Sequence, residues 1–409
     1  MSEKFSPDGG ELLKEIMRMS LIGMCCTLFL CIGNAMGRYN DFRQAPALYD
    51  MNHLKKLRER NIDDKEVHSF LKQADKVVES GPITIMDRKK TYAPDTHYYC
   101  SISRYSWPSD KDPNVYVIKD RQSNPEFGDF NRPNIDKLAI NLKTLCVAFY
   151  ITKDNKYYEA FCGQLDAWFI NKSTYMKPNM EYAQVVQGHN DDKGTEHGLV
   201  DLNQLTPVVE SILLLKQVKD LDAELNTGMI VWFSTMLDWV LNDKRWEKLK
   251  QTPNNIITSL YVCLLEMARF TGNLGVAEKL ANEYTNFVLV AQIDEEGKQP
   301  AELLRAAGFG YSVSNLQSIV DFCLVMEHSG MHYYKKNQKK IDSAFAYLLQ
   351  YVGNKDAFPY KQNGNWSEYE NRLKKNIVRL SRLPSKRSRI KRATISGSLP
   401  KESVMDFVY

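Results

Sequence analysis

Histidine is scarce in this chain and cysteine at C-x-x-C spacing is absent. There are seven His and eight Cys in 409 residues, with no C-x-x-C pair, which argues against a zinc site of the usual ligand spacing. Three of the cysteines fall in the first 37 residues. The other five, Cys100, Cys146, Cys162, Cys263 and Cys323, are scattered and odd in number. Most read as buried thiols acting as small apolar residues; one disulfide among them stays open, with no legible pairing. An excess of one charge is lacking too. A formal net charge of +4 gives no global field for a polyanion, so nucleic acid is not an expected partner. No metal or cofactor is expected. There is no series of alternating strands and no internal repeat that aligns.

What is present begins with a leader. Lys14 and Arg18 precede "MSLIGMCCTLFLCIGNAMG", a short apolar run ending in Ala35-Met36-Gly37. Small residues at that spacing suit a signal peptidase. The run is short for a membrane span, and no stable membrane insertion is expected once it is removed. The plainer alternative is an N-terminal anchor helix. The charged stretch ahead of it is unusual for a signal, and Met17 or Met19 would serve as an alternative start. Residues 1–37 are therefore read as a signal peptide and the protein as exported, periplasmic or secreted. At the other end, "RLPSKRSRIKRATISGSLPKE" makes 383–409 a basic, Ser-rich tail, the kind of charge run that is usually solvated.

Between them, residues 38–382 read as one domain. Apolar residues recur at three-and-four spacing, as in Leu138, Leu142, Cys146 and Phe149, the period of a helix with one buried face. Two polar amphipathic helices are expected over 47–79. Further helices are expected from 134 on, in the pairs 201–218 with 220–243 and 255–271 with 275–292, then at 300–330, 338–352 and 366–382. Helical pairs with short turns imply an all-α toroid or solenoid of paired antiparallel helices. Residues 80–131 break the pattern with Pro82, Pro94, Pro108, Pro113 and Pro125. So long an irregular segment is usually functional, and it is expected to line one mouth of the toroid.

Three stretches are polar and aromatic where a core would not need them: "THYYCSISRYSWPS", "MEYAQVVQGHNDDKGTEHGLVD" and "GKQPAELLRAAGFGYSVSNLQS". In the third, helical spacing puts Arg305, Phe309 and Ser312 on one face, and Gly308 and Gly310 inside a helix imply close approach of another body. Between the second and third stands "PNNIITS", where Asn254 or Asn255 suits a helix N-cap and the second amide is unaccounted for. Together these motifs resemble the alginate lyase superfamily of polysaccharide lyases, more narrowly the alginate and glucuronan lyases built on an incomplete α/α toroid or barrel. The resemblance runs from about residue 80 to 330.

The resemblance implies β-elimination on a polyuronate such as alginate or glucuronan, an acidic polysaccharide partner. The C5 proton is weakly acidic, so the enzyme neutralises the adjacent carboxylate while a base takes the proton and an acid protonates the leaving oxygen. Carried onto this chain, Asn255 and Arg305 neutralise the carboxylate and Tyr311 transfers the proton. Asn254, Tyr182, Gln184, His189, His97, Arg104, Tyr105, Trp107 and Gln299 are the substrate-binding candidates. One family residue does not match: the His of its Asn-Asn-His is Ile256 here. His189 or His197 would stand in for it if the loop at 188–198 folds over the cleft. The missing imidazole leaves two outcomes, a weakened lyase or a homologue that binds acidic polysaccharide without cutting it. Taken singly, Asn255 reads as a cap, Tyr311 as a core tyrosine and Arg305 as an ion-pair partner; the lyase reading rests on their joint spacing.

Overall fold

The computed structural model describes residues 45–59, 64–113, 115–119 and 122–383. The expected leader, and the expected tail beyond Leu383, lie outside the described residues. Helices dominate. α1 spans Met51–Glu59, and α2, Lys65–Ser80, starts where the Asp64 carboxylate accepts the Glu66 and Val67 amides, the usual N-cap bond. α3, Arg132–Thr152, ends at Lys153 in the left-handed region (φ 57°). Asp154 then caps α4, Asn155–Leu165, which continues as a π-helical turn over Asp166–Ile170. So short a turn makes α3 and α4 antiparallel neighbours.

A 3₁₀ stretch, Glu196–Gln204, leads into α5, Leu205–Leu215. This continuous run is long and apolar enough to match a membrane span by length and composition, yet it is spent in the core. α6, Ala223–Asn242, follows, then the short α7, Lys244–Leu249. α8 is Asn255–Phe270, and α9, Leu274–Glu283, extends through a π turn to Gln292. α10, Pro300–Leu303, α11, Gly308–His328, α12, Tyr333–Leu349, and α13, Trp366–Leu380, complete the series.

The layering follows from which helices are apolar all round. α3, α5, α8 and α11 pack side by side in that order. In α5 every residue but Pro207 is buried, and α11 buries residues around its whole circumference from Phe309 to Glu327. A helix with no polar face belongs inside. The amphipathic partners lie against them: α2 and α4 on α3, α9 on α8, α12 and α13 on α11. The result is an incomplete α/α toroid, as the sequence implied. Each Leu or Phe taken fully out of water contributes roughly 1.5–3 kcal/mol.

One charged cluster sits inside this apolar frame. Arg269 of α8 donates to Glu210 at 2.7 Å, to Glu266 at 2.6 Å and to the Ala45 carbonyl at 2.6 Å. Glu210 also accepts the amides of Ala47 and Leu48, so the cluster ties the chain at 45–48 to the inner helices. Burial, with Glu210 as a like-charged neighbour, raises Glu266 to about 8 against the pull of Arg269. The five cysteines at 100, 146, 162, 263 and 323 are all free thiols, four of them buried. No disulfide joins them.

One sequence expectation gains detail and another needs correction. The irregular segment at 80–131 carries three short strands, β1, Cys100–Ile102, β2, Ser106–Pro108, and β3, Tyr116–Ile118. β2 and β3 pair antiparallel, and β1 pairs parallel with β4, Tyr182–Val185. Strands of three or four residues are too short to show alternation. The helix expected over 300–330 is broken at 304–307. There the backbone pairs with a distant segment: Asn363 donates to Ala306 at 2.9 Å and Gly308 to Lys361 at 2.9 Å. Leu304 at the break is 82% exposed. Arg305 therefore does not share a helical face with Phe309 and Ser312, which are both buried. Gly310 is where a close neighbour arrives, because a Cβ there would meet the ring of Tyr369 from α13 at 2.6 Å.

Candidate active site

A cleft of about 710 Å³ opens where the irregular segment meets the N-termini of α8 and α11. Its floor explains the paired amides. Asn254 is the cap of α8, its Oδ1 accepting the Ile256 and Ile257 amides at 3.0 and 3.4 Å. Its carbonyl is held in turn by the buried side chain of Gln292, at 2.8 Å. The amide ahead of these, on Asn255, goes instead to Glu302 Oε1 at 2.6 Å. The first-turn donors are thus satisfied by two side chains, and the Asn255 side chain is left over for the cleft, which it lines. Its Oδ1 is buried and without a partner.

Glu302 belongs to α10 and is 1% exposed. Burial lifts its carboxyl to about 7, while the Asn255 amide and the Arg305 charge pull the other way. Oε2 of Glu302 is, like Oδ1 of Asn255, buried and unpartnered. Arg305 follows in the broken segment, and its guanidinium lies 4.2 Å from the centroid of the Tyr311 ring, within cation–π range. The break in the helix is what brings the two together. Arg305 stands in the turn and Tyr311 in the first turn of α11, its amide bonded to the Ala307 carbonyl at 2.9 Å.

The opposite wall is built on Asp201. This carboxylate is completely buried and accepts from Ser101 Oγ at 2.7 Å, Tyr99 Oη at 2.9 Å, Gln184 Nε2 at 3.0 Å and Arg132 Nη1 at 2.6 Å. Burial, and then the Asp201 charge, pushes the Tyr99 phenol well above its usual value, so it stays a donor. Burial opposes the charge on Arg132, but Asp201, Tyr99 and Asp136 outweigh it and hold the guanidinium above its ordinary value. Gln184 has φ 52°, rare for a residue with a side chain. It is held there by its bond to Asp201 and by its amide donating to Ser101 Oγ at 2.8 Å. Gly198 lies so close to β4 that a Cβ would meet the Ala183 carbonyl at 1.9 Å, which accounts for that glycine of the second motif.

Beside this wall, backbone bonds from Asn124 to Arg104 and from Lys119 to Tyr105, each 2.8 Å, fix the turn between β1 and β2 that carries both side chains. Arg104 stacks over Phe127 at 4.4 Å. Of the sequence candidates, Arg104, Tyr105, Gln184, Asn254, Asn255, Arg305 and Tyr311 all line the one cleft, and so does Ile256.

Five candidates lie elsewhere. Gln299 is buried between Asn315, which donates to its Oε1 at 2.9 Å, and the Ser312 carbonyl, which accepts from its Nε2 at 3.3 Å; it braces α11. Tyr182 packs edge-on against Tyr98 in a small apolar cluster. His97 donates from Nδ1 to the Tyr175 carbonyl at 2.7 Å and lines a separate groove beside Trp232. Trp107 donates its indole N–H to Gln122 and is not in the lining. His189 sits exposed in a turn away from the cleft. His197, from the same loop, does reach it.

Sequence reasoning missed Arg132, Glu302 and Asp201. Asp201 closes the second motif, so its place there was the available signal. Glu302 stands inside the third stretch but reads as an ordinary helix glutamate. Among the described residues no cluster of His, Cys, Asp and Glu is arranged to hold a metal ion.

Comparison with known proteins agrees with this architecture. The alginate lyase family profile matches residues 84–358. A crystal structure of an alginate lyase from Bacteroides ovatus is 28% identical, with a TM-score of 0.76 over 82% of this chain and 91% of that one. An alginate lyase from Sphingomonas species A1 is 10% identical, with a TM-score of 0.49 over 78% and 80% of the two chains. No curated protein matches.

The Asp201 hub is directly testable. Asp201→Asn leaves Arg132 without its buried counter-charge and is expected to cost about 3–5 kcal/mol. Ser101→Ala removes one neutral bond and should cost about 1 kcal/mol. Urea unfolding of the two variants checks the order, and equal costs would mean that Asp201 does not organise the wall.

Proposed function

The chain belongs to the alginate lyase family and is a polysaccharide lyase, and on that premise we propose that its cleft cleaves an acidic polyuronate of alginate or glucuronan type by β-elimination. The observation that carries the reading is the convergence of Asn255 with Arg305 and Tyr311, from two distant stretches of the chain, on one cleft. Residues brought together for packing alone would not be expected to leave an amide, a guanidinium and a phenol facing the same space.

In this reading the uronate carboxylate lies between the Asn255 amide and the N–H edge of Arg305. Neutralising it stabilises the negative charge that develops as the C5–H bond breaks. The Tyr311 oxygen takes that proton. The electron pair becomes the new C4–C5 double bond, the C4–O bond breaks, and the leaving glycosidic oxygen receives a proton from the same phenol. The Arg305 guanidinium stacked on the Tyr311 ring keeps the carboxylate ligand and the phenol side by side in the cleft. Arg104, Tyr105 and Gln184 hold the flanking sugars, Tyr105 offering an apolar face with a polar tip. The leader-like first 37 residues support an exported enzyme, which suits a polymeric substrate.

Ile256 lines the cleft beside Asn255 and supplies no donor. Loss of one such donor typically costs on the order of a hundredfold in rate, so activity is weak. The same observation favours the second reading, a homologue that holds uronates without cutting them.

Ultraviolet absorbance from the new conjugated double bond, across mannuronate, guluronate and glucuronate polymers, separates the two. Elimination on at least one polymer is expected, and Tyr311→Phe is expected to abolish turnover while leaving oligosaccharide affinity nearly unchanged, because the hydroxyl acts in the transition state. Unchanged turnover in that variant would remove Tyr311 from the mechanism. Ile256→His should raise the rate. No gain from it, together with undiminished uronate binding by Asn255→Ala, would remove Asn255 from the carboxylate site and leave Asn254 as an ordinary helix cap.

A further inference from the structure

Two buried acceptors beneath the cleft are unsatisfied, and they belong to residues already joined by a hydrogen bond. Glu302 Oε1 accepts the Asn255 backbone amide at 2.6 Å. Glu302 Oε2 and the side-chain Oδ1 of Asn255 are both buried with no partner. Buried polar atoms without partners are rare because each costs its full desolvation. Two acceptors together call for a proton.

We propose that Glu302 is a positioning residue: it carries a proton on Oε2, donates it to Oδ1 of Asn255, and so fixes the Asn255 side chain with its NH₂ toward the substrate carboxylate. This rests on the reading of Asn255 as a carboxylate ligand. The orientation matters because an amide has a donor end and an acceptor end. With Oδ1 outward, Asn255 would present an acceptor to an anion. A charged Glu302 would draw the NH₂ inward and produce that unproductive state. A neutral Glu302 selects the productive one.

The surroundings suit the neutral acid. The group is 1% exposed, and its burial outweighs the two neighbours that favour the anion, the Asn255 amide from α8 and Arg305 from the turn after α10. Arg305 is the charged group that faces it, and that guanidinium is also stacked on Tyr311 of α11. The carboxyl titrates at about 7, above its ordinary 4.5, so the proton is present at mildly acid pH and lost as pH rises past neutrality.

Glu302→Gln tests the assignment. With its Oε1 on the Asn255 amide, the Gln side chain turns its NH₂ toward Asn255 Oδ1 and reproduces the protonated acid at every pH. In elimination assays, kcat/KM of E302Q should match wild type near pH 6 and exceed it about tenfold near pH 8, because the wild type loses its proton through about 7. Glu302→Ala should be impaired at both. Loss of activity in E302Q at all pH values would mean that the carboxylate is the working form, overturning the proposal.

A second readout needs no substrate. A carboxyl whose folded pKa lies above its unfolded value loses folded-state stability as pH rises from the unfolded to the folded value. Wild type should therefore lose stability relative to E302Q between about pH 4.5 and 7, and a constant difference across that window would overturn the proposal. Should the wild type show no elimination on any polyuronate, the lyase reading fails, while the stability profiles still decide where the Glu302 proton resides.

Discussion

The Asp201 carboxylate, buried and ringed by Tyr99, Ser101, Gln184 and Arg132, is the point from which the cleft takes its shape. A charge so placed is tolerable only with a counter-charge and a full set of donors. Meeting that requirement draws four separate segments together. β1 supplies Ser101, with Tyr99 immediately ahead of it; β4 supplies Gln184, the start of α3 supplies Arg132, and the 3₁₀ stretch before α5 carries Asp201 itself. Gln184 accepts a left-handed backbone as part of the arrangement. None of the four donors is free to move without exposing an unpaired group, so the side chains beside them, Arg104 and Tyr105, inherit a fixed wall.

The facing wall solves a different problem. Helix α8 must begin at the cleft, and its exposed amides are shared between Asn254 and Glu302. That division frees Asn255 for the cleft. The interruption of the helix at 304–307, held by pairing with 361–363, then turns Arg305 back against Tyr311. An all-helical toroid has few irregular backbone positions, and this one spends two of them, the strand-bearing segment and the broken helix, on the same cleft. Rigid helices place the groups proposed for catalysis, and short irregular pieces aim them.

How far the sequence disclosed this varies with range. The helices were legible because the three-and-four period of residues such as Leu138, Leu142 and Cys146 is a local property. Asn255, Arg305 and Tyr311 were legible through their joint resemblance to a family rather than through any one of them. What the sequence hid depends on partners far along the chain. Gln299 looked like a substrate ligand, and only the fold reveals Asn315 opposite it. His97 looked equally suitable until Tyr175 claimed its ring nitrogen. The break at 304–307 could not be read from periodicity, since its cause lies at 361–363. Glu302 was invisible for the opposite reason: a glutamate on a helix is usually solvated, and only burial beside Asn255 makes it unusual. His189 and His197 were indistinguishable in sequence, and the turn between them sends one out and the other to the cleft.

The proposed chemistry comes down to one position, a uronate carboxylate between Asn255 and Arg305 with its C5 carbon beside Tyr311. The most direct measurement is a crystal structure of the Tyr311→Phe protein with a polyuronate oligosaccharide bound. Carboxylate oxygens are expected within hydrogen-bond distance of the Asn255 amide nitrogen and the Arg305 guanidinium, with C5 facing the ring at position 311. An oligosaccharide seated in the groove beside His97 and Trp232, or in this cleft with its carboxylates turned away from both residues, would contradict it.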